Sequence, residues 1–122
     1  MRDHSKLRAF ELADELAFRI YKVTARFPKE ELYGLTAQIR RAAVSVPSNI
    51  VEGCARESEA DYLRFLSIAF GSLRELHYQF TLAKRLKFIN EKGTQEVEPM
   101  ILETEKVLNG LIRSIKTNRK GE

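Results

Sequence analysis

The 122-residue sequence has little of what disulfide-rich, secreted or membrane-spanning proteins need. Cys54 is the only cysteine, which excludes a disulfide or a thiolate metal cage within one chain and fits a reducing compartment. The longest stretch without a charge, residues 42–51, is far shorter than the roughly 20 apolar residues of a membrane helix. The N-terminal residues show no apolar signal region. We therefore expect a cytoplasmic protein that does not associate with a membrane.

Proline and glycine are also scarce, and apolar residues recur at three- and four-residue intervals, which predicts helices and no strands. The spacing predicts four helices, over about residues 7–26, 29–55, 59–87 and 91–117, with a basic C-terminal tail over 116–122. The fourth helix starts either at Asn90 or near Thr94, because Pro99 leaves its first turns open. The expected fold is all-α: one domain over residues 1–122, packed as an antiparallel up-down-up-down four-helix bundle.

The second predicted helix contains Pro47 in its interior, where proline costs about 3 kcal/mol or more, so we expect a kink there. Polar side chains recur around it, largely on one side of the helix. This polar elbow comprises Gln38, Arg41, Ser45, Pro47, Ser48, Asn49 and Glu52. Two interpretations are open: a groove that faces a ligand or another subunit, or groups that satisfy one another within the chain. We expect half-buried Glu52 to have a partner, either Arg41, Arg56 or a residue of another subunit.

No catalytic or metal-binding arrangement stands out in the sequence. Neither His4 nor His77 belongs to a motif with Cys54, which favours an inert thiol. The Glu-x-x-His and His-x-x-x-His spacings of metal sites in bundles are absent, as are glycine-rich phosphate loops. We therefore expect a protein that is not an enzyme and that needs no metal or cofactor.

The chain has a formal net charge of +4 and a pI near 9.3, which is compatible with an anionic partner. Phosphate contacts need cations and no fixed motif. The candidate nucleic-acid contacts are Arg40, Arg41, Arg56, Arg113, Lys116, Arg119 and Lys120. The competing interpretation is that these side chains form solvated ion pairs with some of the 17 acidic residues.

Two further features point to interfaces. Gly34, Gly71 and Gly110 lie inside predicted helices, where glycine costs about 1 kcal/mol relative to alanine, so we expect close helix approach there. Several apolar residues fall outside the predicted core stripes and belong either to a subunit interface or to a wider core. These residues are Leu12, Leu16, Phe18, Tyr33 and Tyr78.

Four segments carry a resemblance to a known family. They read YGLTAQIRRA at 33–42, SVPSNIVEG at 45–53, AFGSLREL at 69–76 and LNGLI at 108–112. Together they resemble the signature of the bacterial "four helix bundle protein" family, whose founding members are encoded in intervening sequences of 23S ribosomal RNA genes. The resemblance extends over most of the chain.

The resemblance implies a left-handed bundle that assembles into ring-shaped homopentamers. A related branch, the accessory variability proteins of diversity-generating retroelements, binds nucleic acid and a reverse transcriptase. By that analogy the candidate partners are RNA, single-stranded DNA and a reverse transcriptase, besides further copies of the chain. The alternatives are a protein-interaction or structural ring without nucleic-acid affinity, and a small-molecule binder that uses a pocket between helices.

Overall fold

The computed structural model describes residues 2–121, and for residues 120 and 121 the backbone alone. This part of the chain contains four α-helices and no strand, so the predicted all-α fold is confirmed. The helices are α1 (Arg8–Thr24), α2 (Leu35–Cys54), α3 (Glu59–Arg85) and α4 (Glu91–Gly121). Single 3₁₀ turns at His4–Lys6 and Lys29–Glu31 precede α1 and α2.

Side-chain caps explain where α3 and α4 begin. The Ser58 hydroxyl accepts a hydrogen bond from the Asp61 N–H at 3.1 Å, the usual bond of a serine N-cap. The Asn90 side-chain oxygen accepts from the Gly93 N–H at 2.7 Å, so α4 follows Asn90 directly and the later start near Thr94 is wrong. Helix α4 continues to Gly121, so the described part of the predicted basic tail is helical and the predicted end near residue 117 is too early.

The predicted start of the second helix, residue 29, is wrong, because α2 begins at Leu35. Pro28 has an extended backbone, with ψ of 140°, and precedes only one 3₁₀ turn. The Glu31 carboxylate then accepts a hydrogen bond from the Leu35 N–H at 3.0 Å. Gly34 is therefore the N-cap of α2, outside the helix interior where the sequence predicted it.

Contacts between α1 and α4 run in opposite order along the two helices. Arg8 near the start of α1 pairs with Glu103 at 3.4 Å, whereas Arg19 pairs with the earlier Glu96 at 2.9 Å. Two contacts for each of the other neighbouring pairs show the same reversed order. They are Arg2–Cys54 and Arg40–Thr24 for α1 and its preceding residues with α2, Ser45–Ser72 and Gly53–Phe65 for α2 with α3, and His77–Glu105 and Lys84–Glu98 for α3 with α4. This order is the one that antiparallel neighbours give. Helix α2 continues through Pro47 without interruption, and its kink and the handedness of the bundle stay predictions.

The core fills the space between the four helices. Its largest fully buried side chains are Leu16, Ile20, Ile39, Val46, Ile50, Leu66, Leu73, Leu76, Phe80, Val97, Ile101 and Leu108. Leu16 thus belongs to the core, whereas Phe18, Tyr33 and Tyr78 are exposed and Leu12 is half-buried.

Within the chain, Gly71 and Gly110 are not sites of close helix approach, contrary to expectation. A Cβ added at either residue would meet no atom within 4 Å. Gly53 is the close contact between α2 and α3, because a Cβ there would lie 3.0 Å from the Phe65 Cβ. Gly71 and Gly110 therefore need an explanation that packing within one chain does not supply.

Candidate binding surfaces

Two members of the polar elbow are satisfied within the chain. The Ser45 hydroxyl lies 2.8 Å from the Ser72 hydroxyl of α3. The Asn49 amide donates to the Ser45 carbonyl at 2.8 Å and to its hydroxyl at 3.0 Å. The Ser45–Ser72 bond holds this part of α2 against α3, and the Asn49 bonds close within α2, so the internal interpretation applies to this part of the elbow.

The elbow does not form one cluster. Gln38, Arg41 and Ser45 line a polar concavity of about 470 Å³ between α2 and α3. The sequence missed its other polar members, Ser72, Glu75 and Gln79, because they lie on a different helix. Farther along α2, Pro47 is half-buried and Ser48 is exposed.

Glu52 does not behave as the sequence predicted. Its side chain is exposed, so the premise of half-burial is wrong. Within residues 2–121 it forms no ion pair with Arg41 or Arg56. Water satisfies an exposed carboxylate, so Glu52 needs no partner for the chain to fold.

An apolar groove of about 690 Å³ lies where the end of α1 meets the start of α2. We define this α1–α2 groove by Tyr21, Leu32, Tyr33, Thr36, Arg40 and Val44. Tyr33 is 93% exposed, and Tyr21, Leu32 and Val44 are exposed as well. Thr36 is only 4% exposed, and its hydroxyl has no hydrogen-bond partner in the described part of the chain.

Arg40 and Arg41 are neighbours in sequence but differ in role. The Arg40 Nε donates to the Thr24 hydroxyl at 2.8 Å, and its guanidinium lies 4.7 Å over the Tyr21 ring. Arg40 is half-buried and ties α2 to α1, which makes it a poor phosphate contact. Arg41 is exposed and lines both the polar concavity and the α1–α2 groove.

Arg56 lies at the other end of α2, within a set of stacked arginines. Its guanidinium lies 4.6 Å over the Phe65 ring, and that of Arg64 lies 4.8 Å over the same ring. Arg2 stacks at 3.9 Å on Tyr62 and donates to the Arg56 carbonyl at 3.2 Å. We call Arg2, Arg56 and Arg64 the arginine cluster. The sequence analysis did not identify Arg2 and Arg64 as candidates, because their positions relative to aromatic rings depend on the fold.

The last turns of α4 carry three further candidates, Arg113, Lys116 and Arg119, all exposed. None of the three forms an ion pair with a described residue. Because Glu103 lies beside the start of α1, the turns after it extend to the end of the bundle that holds the arginine cluster. The predicted cations therefore fall into two groups at opposite ends of the bundle. The Lys120 side chain lies outside the described residues.

The buried ionisable groups are structural. The Glu105 carboxylate of α4, 9% exposed, accepts from Arg74 at 3.0 Å and contacts His77 Nδ1 at 2.8 Å. Burial raises the pKa of the Cys54 thiol above its usual value and raises the pKa of Tyr62 to about 12. A buried thiol whose pKa is raised is a weak nucleophile, so Cys54 is unsuited to covalent catalysis.

Two kinds of feature are absent from residues 2–121. No group of three His, Cys, Asp or Glu side chains there is close enough to hold a metal ion. No helix in that range has the length and apolar character needed to cross a membrane.

Comparison with known proteins places the chain among similar sequences and structures. The sequence model of a family described as "23S rRNA-intervening sequence protein" matches residues 5–110. Among solved structures, a protein of unknown function from the S23 ribosomal protein family of Bacteroides thetaiotaomicron superposes with a TM-score of 0.78. It is 25% identical in sequence, and the match covers 86% of this chain and 95% of that chain. No curated protein matches the chain.

Proposed function

Since this chain belongs to the 23S rRNA-intervening sequence protein family, we propose that it is a non-enzymatic, cytoplasmic binding protein that assembles into a homo-oligomer and associates with RNA. By the family resemblance the oligomer is a ring of five copies. The α1–α2 groove is the observation that carries the proposal. The RNA part rests on the exposed cations at the opposite end of the bundle.

The α1–α2 groove has the composition of a protein interface. Tyrosine is enriched at the centres of such interfaces, because its ring contributes a large contact area and its hydroxyl still finds partners. Tyr33, 93% exposed, contributes little to the fold of one chain. The unpartnered Thr36 hydroxyl at this groove supports the same conclusion, because a buried hydroxyl without a hydrogen bond is costly.

A second exposed surface lies on α3. Ile68 and Tyr78 are exposed apolar residues, and helical geometry puts Gly71 and the exposed Glu75 between them on the same face. We call Ile68, Gly71 and Tyr78 the α3 patch. Two different patches on one chain suit head-to-tail association, in which the groove of one copy receives the α3 patch of the next. Head-to-tail contacts close into rings, and a glycine in the patch permits close approach between chains.

Sedimentation or light scattering of the purified chain tests the oligomer. Tyr33→Asp in the α1–α2 groove should reduce the particle to a monomer while the helical circular dichroism is unchanged. Leu102→Asp is the matched control, because Leu102 is also an exposed apolar residue, on α4 and outside both patches. A monomeric wild-type chain at micromolar concentration would refute self-association.

Mixing two variants distinguishes a head-to-tail interface from a symmetric one. Tyr33→Asp disables the groove but keeps the α3 patch, whereas Ile68→Asp does the reverse. In a head-to-tail interface the two monomeric variants still share one intact contact, so an equimolar mixture should form a dimer that cannot grow. If Ile68→Asp alone still forms dimers, the groove pairs with itself and the ring is the wrong assembly; if the mixture stays monomeric, the groove and the α3 patch do not pair with each other.

RNA binding rests on Arg113, Lys116 and Arg119 together with the arginine cluster. Arg56 and the three α4 cations are exposed and form no ion pair within residues 2–121, so they are available for phosphates. Arg64 pairs with Asp61 at 3.9 Å and Arg2 is half-buried, but their stacked guanidinium groups suit unpaired bases. A short single-stranded RNA should bind at about 50 mM salt and weaken steeply as salt rises. Single-stranded DNA should bind similarly, since phosphates supply most of the energy.

Single substitutions make the RNA test residue-specific. Lys116→Gln should lower the slope of log affinity against log salt by about 0.7 if it contacts one phosphate of a single strand. Lys106→Gln removes a charge from an exposed position earlier on α4 and should leave the slope unchanged. An oligomer without measurable RNA affinity, or with affinity that is insensitive to salt, would favour the alternative function, a structural ring.

A further inference from the structure

A third concavity, of about 430 Å³, lies between the end of α1 and the start of α4. Five cationic side chains contribute to its wall and only one acidic side chain does. The cations are Arg19, Lys22, Arg26, Lys87 and Lys92, and the acid is Glu96. We call this concavity the cationic pocket. Its five cations and one acid give the wall a formal charge of +4, the same as the net charge of the whole chain.

Most of this positive charge is not neutralised by the protein. Arg19 pairs with Glu15 and with Glu96, both at 2.9 Å, which also occupies the one carboxylate of the wall. Lys22, Arg26, Lys87 and Lys92 form no ion pair within residues 2–121. Four unpaired cations around one concavity repel each other, and a bound anion removes that repulsion.

The position of Lys87 is the second observation. The Phe88 N–H bonds to the Ala83 carbonyl at 2.9 Å and the Lys87 N–H to the Lys84 carbonyl at 3.0 Å, which closes α3 in a Schellman motif. The residue at Lys87 therefore has a left-handed backbone, with φ of 64°, where glycine is usual. A side chain there costs stability, and such costs concentrate at functional sites. This strained residue is one of the four unpaired cations.

The rest of the wall limits the kind of anion. Val23, Phe88 and Ile89 add an apolar side, and the volume falls within the range of small-ligand sites. A ligand that suits both parts has a multiply charged group next to a flat, weakly polar one. Phosphate fits the cations better than carboxylate does, because it offers more oxygens and more charge to several lysines and an arginine at once.

We propose that the cationic pocket binds a phosphate-bearing ligand of about nucleotide size. The ligand's phosphates contact Lys22, Arg26, Lys87 and Lys92, and its organic part lies against Phe88 and Ile89. The pocket is at the opposite end of the bundle from Lys116 and the arginine cluster. The inference therefore does not depend on the RNA function proposed above.

Calorimetric titration with pyrophosphate, at low salt, tests the inference directly. The wild-type chain should bind pyrophosphate, and a nucleoside 5′-diphosphate should bind more tightly, whereas the unphosphorylated nucleoside should not bind. Lys87→Gly should lower the affinity for pyrophosphate roughly tenfold, the loss of one charge-assisted contact. The same substitution should raise the melting temperature by about 2 to 5 °C, because glycine relieves the left-handed residue.

If Lys87→Gly raises the melting temperature but lowers the affinity for pyrophosphate, Lys87 serves binding and not the stability of the fold. Lys84→Gln is the matched control, because Lys84 lies on the same turn, pairs with Glu98 at 3.1 Å and is outside the wall. It should leave the pyrophosphate affinity unchanged. Absence of pyrophosphate binding, or an affinity that survives Lys87→Gly unchanged, would overturn the inference.

The phosphate has two sources, a free nucleotide or the end of an RNA strand. A short RNA with a 5′-phosphate, compared with the same RNA with a 5′-hydroxyl, distinguishes them. A preference for the phosphorylated end that disappears in Lys87→Gly identifies the strand end as the ligand. If the two RNAs bind equally and only the nucleotide displaces pyrophosphate, a free nucleotide is the ligand of the pocket.

Discussion

Two glycine-to-alanine substitutions should change stability in opposite directions. Gly71 lies in the interior of α3, and an added Cβ would meet nothing within 4 Å. Alanine there should stabilise the chain by about 1 kcal/mol, the usual difference in helix propensity. Gly53 lies near the end of α2, where the added Cβ would be 3.0 Å from the Phe65 Cβ.

The Gly53→Ala clash is difficult to relieve. Carbon atoms pack best about 3.5 to 4.0 Å apart, and a Cβ is attached directly to the backbone, so α3 itself must move away from α2. Overpacking of this kind costs about 1 to 3 kcal/mol, which exceeds the propensity gained near a helix end. The two variants should therefore differ by about 2 to 3 kcal/mol.

Urea unfolding followed by circular dichroism at 222 nm measures both effects. Because self-association adds stability that depends on concentration, the measurement belongs at two protein concentrations. At the lower one, Gly71→Ala should raise the urea midpoint by about 0.5 M, and Gly53→Ala should lower it by at least as much. A stable Gly53→Ala variant, or a Gly71→Ala variant that is destabilised at every concentration, would refute the packing argument.

Three further predictions concern the buried groups and Pro47. The folded chain keeps the Tyr62 proton up to a pKa of about 12, whereas the unfolded chain releases it near 10, so stability should fall between those pH values by up to about 2.7 kcal/mol. Urea unfolding at pH 9 and pH 11.5 should show part of that fall, and Tyr62→Phe should flatten it. Arg74→Ala and His77→Ala should each cost about 1 kcal/mol, but the double variant should cost about 3 or more, because Glu105 is then buried without a partner; additive effects in a double-mutant cycle would contradict this. Pro47→Ala should raise the urea midpoint, because it removes an interior proline; sedimentation of this variant then tests the elbow, since an unchanged oligomer excludes it from the interface.

Most of the fold could be predicted because the apolar period is clear and the caps are local. Helix α3 was predicted over about residues 59–87 and runs over Glu59–Arg85, because its cap, Ser58, is only three residues from the N–H that it satisfies. The start of α2 was missed because its first N–H, that of Leu35, is satisfied by Glu31, a residue type that also suits the first turn of a helix. Sequence alone does not distinguish these two roles of glutamate.

The candidate surfaces were harder to predict, because residues far apart in sequence form them. The cationic pocket joins Arg26, just after α1, to Lys92 in the first turn of α4, and only the antiparallel packing of α1 and α4 brings them together. The run Lys84 to Lys92 is visibly basic, but cations at a helix C-terminus have an ordinary explanation in the helix dipole. The left-handed backbone of Lys87, which separates the two explanations, appears only in the structure.

Three of the positions that violate local preferences lie on the surface, and this argues that the surface there is functional. Gly71 occupies an open helical position where alanine is better, Lys87 occupies a left-handed position where glycine is better, and Tyr33 exposes nearly its whole side chain. None of the three improves the packing of one chain, and the two backbone choices each cost about 1 kcal/mol. Residues that cost backbone strain or stability in this way concentrate at functional sites. They lie in the α3 patch, the cationic pocket and the α1–α2 groove, and for the pocket and the groove the shape of the bundle points to the same surface.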